Sequence, residues 1–171
     1  MGHKPSHLPI PAAITKKVYV VSCVKGVGKT TLINRLTNNT NAITITANSV
    51  TYNLVFREIY LCEISVTSKC DVLIYVFDAT NEKSFAGIKL FLDSRRLRQL
   101  TGCTLKRYDT LDVFVANKID LPRQVTTEQG MSLLEDGPIQ KITPRYVETN
   151  SADDDCIQHL LETILEMIGE L

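Results

Sequence analysis

The chain has 171 residues, 44% of them hydrophobic and 22% charged, and its formal net charge is zero. That size suits one domain with a substantial buried core, and the neutral balance argues against a nucleic-acid partner. Five widely spread cysteines with no C-x-x-C read as free thiols of a reducing, cytoplasmic setting, and the longest unbroken apolar run, residues 72–77, is far too short to cross a bilayer.

Residues 1–16 carry His3, Pro5, His7, Pro9 and Pro11 without apolar periodicity, so a flexible leader is expected there, followed by a single domain over 17–171. The opening Met-Gly-His-Lys-Pro-Ser matches a permissive acylation pattern and is read as part of that leader. Residues 18–21 are apolar and mostly β-branched, a strand, and Leu32, Ile33 and Leu36 place one apolar face on the helix that follows.

Between strand and helix, Gly26, Gly28, Lys29 and Thr30 supply most of the phosphate-binding pattern G-x-x-x-x-G-K-[ST]. Glycines let backbone N–H groups curl around phosphate oxygens, the helix start offers unpaired donors, and Lys29 adds a point charge at the β- and γ-phosphates. Thr30 is placed to put its hydroxyl on Mg²⁺. Lys25, Gly26, Val27, Gly28, Lys29, Thr30 and Thr31 are therefore the candidate phosphate-binding residues, with Lys29 also the candidate catalytic group. Where the pattern has its first glycine the chain has Cys23, whose Cβ is expected to restrict the backbone and crowd the phosphates. An ordinary turn that happens to carry Gly-Lys-Thr is the alternative reading of this stretch alone.

Beyond a polar loop at residues 37–41, alternation predicts an edge strand over 42–47 and a second strand over 56–64. Residues 71–78 are apolar on both faces, as in a central parallel strand. A helix is expected over 82–100 with Asn81 as its cap, then a strand over 111–116, a short helix over 128–135, a strand over 146–149 and a closing helix over 154–168. The basic residues Arg95, Arg96, Arg98, Lys106 and Arg107 are read as a solvated face. Alternating strands and helices define an α/β domain with a mostly parallel sheet, whose ligands bind at the carboxyl ends of the strands.

Two further motifs lie at such ends. Asn117-Lys118-Ile119-Asp120 follows one strand and Glu148-Thr149-Asn150-Ser151-Ala152 spans the end of the last. Guanine offers N1–H and N2–H₂ side by side, so Asp120 can accept both, a pairing that adenine cannot match; a plain strand-end turn is the alternative for residues 117–120.

Together these elements resemble the Ras superfamily of small GTPases over residues 17–169, with a P-loop NTPase fold, helices on both faces of the sheet, and GTP or GDP with Mg²⁺ as the implied ligands. By that resemblance Asn117 braces the loops and touches the base, the Lys118 stem lies along the base plane, and Ser151 and Ala152 bring a backbone N–H to the guanine oxygen. Asp153 stands where the family has Lys. Residues 77–85 look like the Rab and Ras branches, and residues 63–65, 70–72 and 150–153 also look like the carboxyl-terminal GTPase domain of Miro proteins.

The chain departs from the family between these motifs. No D-x-x-G is present, and seven residues separate Glu63 from Asp71, too few for the usual switch helix. Glu63 is the nearest candidate for the acid that holds Mg²⁺, with a solvent-facing strand residue as the equal alternative. The first-switch threonine stays open among Thr44, Thr46 and Thr51. No glutamine stands where a water-orienting group is needed, so turnover is expected to be very slow or absent. Without a carboxyl-terminal Cys motif no autonomous membrane anchor is expected.

Two functions follow: a guanine-nucleotide-binding, weakly hydrolysing small GTPase that works through a protein effector or complex, or a pseudo-GTPase interaction module that binds little or no nucleotide. A P-loop kinase is disfavoured, since it has no use for N-K-x-D.

Overall fold

The computed structural model describes residues 12–64, 70–100, 110–136 and 142–170. The leader up to residue 11, Cys103, Lys106 and Arg107, and residues 65–69 of the short segment after Glu63 lie outside the described residues. In chain order the elements are β1 (Ile14–Ser22), α1 (Lys29–Thr37), β2 (Ala42–Ala47), β3 (Val50–Tyr60), a 3₁₀ turn (Leu61–Glu63), β4 (Val72–Asp78), α2 (Glu82–Leu100), β5 (Leu111–Asn117), α3 (Thr127–Asp136), β6 (Arg145–Thr149) and α4 (Asp154–Gly169). The strands form one six-stranded sheet in the order β2-β3-β1-β4-β5-β6, parallel except for the β2–β3 pair.

Period-two alternation divides the core between the two faces. Val18, Val20, Ile74 and Val76 pack on one face beneath Leu32 and Leu36 of α1 and Leu160 and Ile164 of α4. Val21, Leu73, Tyr75 and Phe77 pack on the other beneath Ile88 and Leu92 of α2 and Leu133 of α3. β4 and β5 are buried at every position, as their doubly apolar composition requires. Among the described residues no helix is long and apolar enough to cross a membrane.

Three expectations need correction. β1 begins at Ile14, so residues 14–16 pair with Tyr52, Asn53 and Leu54 and belong to the sheet rather than to the leader. β3 covers 50–60 rather than 56–64 because Asn48 and Ser49 both take left-handed angles (φ 50° and 66°), forming a two-residue hairpin turn that pairs Thr46 with Thr51. The chain then leaves the sheet at Leu61. Nor is Arg95 a solvated residue: its guanidinium turns inward to the Tyr75 hydroxyl and lies 3.4 Å from the buried Asp112 carboxylate, while Arg96 donates to the Glu135 carbonyl at 3.3 Å.

The loop after β5 is pinned to β6 by a bidentate pair. Arg123 donates to both Glu148 oxygens at 2.8 and 2.7 Å, and the Thr127 and Tyr146 hydroxyls donate to Oε1 at 2.7 and 3.0 Å. The hydrogen bonds from Arg123, aided by those from Thr127 and Tyr146 and opposed by burial, hold the Glu148 carboxyl down at about 2. Gly130 makes room for this clamp, since a Cβ there would overlap the Tyr146 hydroxyl and come within 2.7 Å of its ring.

A folded-state pKa below the unfolded value of 4.5 means that the clamp stabilises fully above pH 4.5 and that the contribution is lost as pH falls toward 2. With solvent screening it amounts to about 1–3 kcal/mol. Urea midpoints of the wild type and Glu148→Gln should therefore differ most near neutrality and converge below pH 3. A gap that ignores pH would show that the carboxylate charge does not hold this loop.

Candidate functional site

The parallel strands end together. Ser22 pairs with Tyr60, Asp78 with Asn117, and Asn117 with Thr149, so the loops after β1, β3, β4, β5 and β6 rise from one rim of the sheet. Lys29 starts the helix at the end of the first of these loops, and Asp120 sits on the loop after β5.

After β1 the backbone turns through Gly26 (φ 79°) and Gly28 (φ 98°), angles that favour glycine, and α1 begins at Lys29 with Gly28 as its N-cap. Gly28 is also a close-approach position: a Cβ there would overlap Asn117 Nδ2. Cys23 does not crowd this loop. Its φ is not positive, its Sγ–H donates to the Ser84 carbonyl at 3.2 Å, and the side chain packs on the α2 face of the sheet. Burial raises the thiol pKa. Gly87 of α2 receives it, for a Cβ on Gly87 would overlap Sγ and lie 2.8 Å from the cysteine Cβ. The expectation that Cys23 obstructs phosphates is thus overturned by the direction of its side chain.

Lys29 is only 3% exposed. Its ammonium donates to Ser22 Oγ at 2.6 Å, lies 3.4 Å from a Glu58 oxygen and sits 4.2 Å from the centre of the Tyr60 ring. Thr30 Oγ1 donates to the other Glu58 oxygen at 2.5 Å. Glu58 and Tyr60, two apart on β3, therefore both face the start of α1. Lys25 is exposed, Val27 is buried, and Thr31 lines a hollow with Asn34, Arg35 and Asp154 at the side of α1.

At the other end Asn117, 1% exposed, donates from Nδ2 to the Val27 carbonyl at 2.9 Å, while its Oδ1 accepts from Thr149 and Ser151 at 3.1 and 2.9 Å. Lys118, at φ 63°, donates from Nζ to the Gly26 carbonyl at 2.7 Å and to Asp78 Oδ2 at 2.6 Å. Burial raises the Asp78 pKa, but the hydrogen bonds from Lys118 and Thr80 outweigh it, and the net shift is downward. Ile119 N–H reaches the Thr149 carbonyl at 3.3 Å, which sets exposed Asp120 beside the loop of Ser151 and Ala152. Ala152 N–H is held by Asn150 Oδ1 at 2.9 Å, and Asp153 caps α4 through Asp155 N–H.

The structure thus joins residues 26–28 to 117–118 and 151, ties Lys29 and Thr30 to Glu58, and leaves Glu63 out. The Glu63 carboxylate accepts the Tyr60 N–H at 2.7 Å across the 3₁₀ turn, exposed, while Glu58 meets Thr30. Sequence reasoning missed Glu58 because it sought an acid at the end of a strand over 56–64; the Asn48-Ser49 turn was the available sign that β3 starts and ends earlier. It also missed Tyr60, Ser22 and Asp78. None of the candidate switch threonines reaches the site. Thr44 pairs with Asn53 and Thr46 with Thr51, five and seven residues before Glu58, roughly 17 Å or more along the strand.

The Ras family model matches residues 56–170, about two thirds of the chain, beginning after the phosphate loop. No curated protein matches the chain.

The Cys23–Gly87 contact is testable by a double-mutant cycle. Gly87→Ala should destabilise by about 1–3 kcal/mol through overpacking, and Cys23→Gly in the same chain should recover most of it. Additive denaturation free energies would show that the two positions are not in contact.

Proposed function

Because the chain belongs to the Ras family, we propose that it binds guanine nucleotide with residues 25–31 on the phosphates and Asp120 on the base, hydrolyses slowly if at all, and works through protein partners. The observation that carries this reading is the pair of hydrogen bonds from Asn117 and Lys118 to the carbonyls of Val27 and Gly26, which couple the base loop to the phosphate loop. The likeness of residues 77–85 to the Rab and Ras branches supports a role in intracellular trafficking.

Lys29 neutralises phosphate charge in this reading. Asp120 accepts the two guanine donors, Lys118 packs along the base, and Ala152 N–H exchanges Asn150 for the guanine oxygen. The hydroxyl of Thr30 and the carboxylate of Glu58, 2.5 Å apart, form an all-oxygen donor set of the kind Mg²⁺ prefers. Thr30 and Glu58, not Glu63, are thus the residues that would hold the ion, which when bound supplies charge neutralisation at the phosphates. The segment 61–71 contains no glutamine to orient a water, which supports slow turnover.

A second reading, a pseudo-GTPase interaction module, is favoured by Lys29 being covered by the protein's own Ser22, Glu58 and Tyr60. Denaturing protein purified without added nucleotide separates the two: release of GDP or GTP near one per chain is expected. An empty site that shows no thermal shift with either nucleotide leaves only the second reading. Asp120→Asn should weaken guanine nucleotide by about a hundredfold or more, since charge-assisted hydrogen bonds contribute about 1.5–3 kcal/mol each.

A further inference from the structure

We infer that Tyr60 fills the position of a third phosphate, making this a site selective for guanosine diphosphate over triphosphate. The inference rests on the guanine-nucleotide reading and concerns which phosphate chain that site accepts.

Sheet order sets the direction of the ligand. The base lies over the ends of β5 and β6, where Asp120 and Ser151 stand, and the phosphates lie on the loop after β1. A nucleotide laid from β6 toward β1 puts its outermost phosphate beyond β1, on the side of β3. Tyr60, paired with Ser22 across β1–β3, ends β3 at that place. A lysine of this loop reaches the β- and γ-phosphates. The face of Lys29 Nζ turned to β3 is occupied by the Tyr60 ring at 4.2 Å and a Glu58 oxygen at 3.4 Å.

The Tyr60 ring opposes a terminal phosphate. The ring presents its electron-rich face to the ammonium and would have to leave it. The Tyr60 N–H offers no substitute, since it is taken by Glu63 at 2.7 Å. The β-phosphate keeps the N–H groups of Val27 and Gly28, which the hydrogen bonds to the Gly26 and Val27 carbonyls turn away from β5.

Calorimetric titration of the full chain with GDP and with a non-hydrolysable GTP analogue, each with Mg²⁺, tests this. Wild type should bind GDP at least about tenfold more tightly. Tyr60→Ala should bring the analogue to within about threefold of GDP, and Tyr60→Phe, which keeps the ring, should preserve the preference. Equal wild-type affinities overturn the inference and leave the guanine-nucleotide reading standing, whether or not Tyr60→Ala folds. A preference unchanged in folded Tyr60→Ala overturns the role of the ring. If neither nucleotide binds, both readings fall together.

Discussion

Two hydrogen bonds from the end of β5 hold the phosphate loop in shape: Asn117 Nδ2 to the Val27 carbonyl, and Lys118 Nζ to the Gly26 carbonyl. A trans peptide points its C=O and the following N–H in opposite directions. Drawing the carbonyls of Gly26 and Val27 toward β5 therefore turns the N–H groups of Val27 and Gly28 away from it, into the cleft. The left-handed angles at Gly26 and Gly28 allow that turn, and the lack of a side chain on Gly28 lets Asn117 approach. Asn117 is itself fixed by Thr149 and Ser151, so three loops share one buried amide. Removing it would orphan the buried Val27 carbonyl, at about 1–3 kcal/mol, and take a partner from two hydroxyls at once.

Much of this is legible in the sequence. The doubly apolar run at 71–78, the stripe of Ile157, Leu160 and Ile164 and the Gly-Lys-Thr loop each carry a local signal strong enough to survive folding unchanged. What escaped was set by register. Whether Glu58 or Glu63 faces Thr30 depends on where β3 leaves the sheet, and that is fixed by the hairpin at Asn48 and Ser49 and by pairing with β1 over Ile14 to Ser22. Alternation over 56–64 is the same whether the strand stops at Tyr60 or continues, so the hydrophobic pattern could not distinguish the two acids. Arg95 was misjudged for a similar reason: its partners Tyr75 and Asp112 lie on strands distant in sequence.

The connection between α1 and β2 limits how this site can respond to a ligand. α1 has nine residues, about 13 Å at 1.5 Å per residue, and the four residues 38–41 leave its far end directly into β2. Asn38, Asn39 and Asn41 all take left-handed angles to make that tight exit. The threonines downstream are spent on a hairpin, with the Thr46 and Thr51 hydroxyls 3.0 Å apart. This connection has neither the length nor the position to fold over Lys29. The group that covers the lysine comes instead from β3, held by the sheet.

Cys23 departs from the phosphate-binding pattern and Tyr60 covers the lysine of that pattern, yet the two differ in physical meaning because they point to opposite sides of the loop. Cys23 faces α2, where Gly87 gives up a side chain to seat it, so its volume is compensated within the core and the phosphate cleft is not altered. Tyr60 faces Lys29, with its ring centre 4.2 Å from the ammonium. A change absorbed by a neighbouring side chain leaves the ligand's space intact, whereas a change that takes a ligand's partner for itself redefines what can bind. The direction of a side chain from the backbone, rather than its distance from the motif in sequence, decides which of the two a substitution becomes.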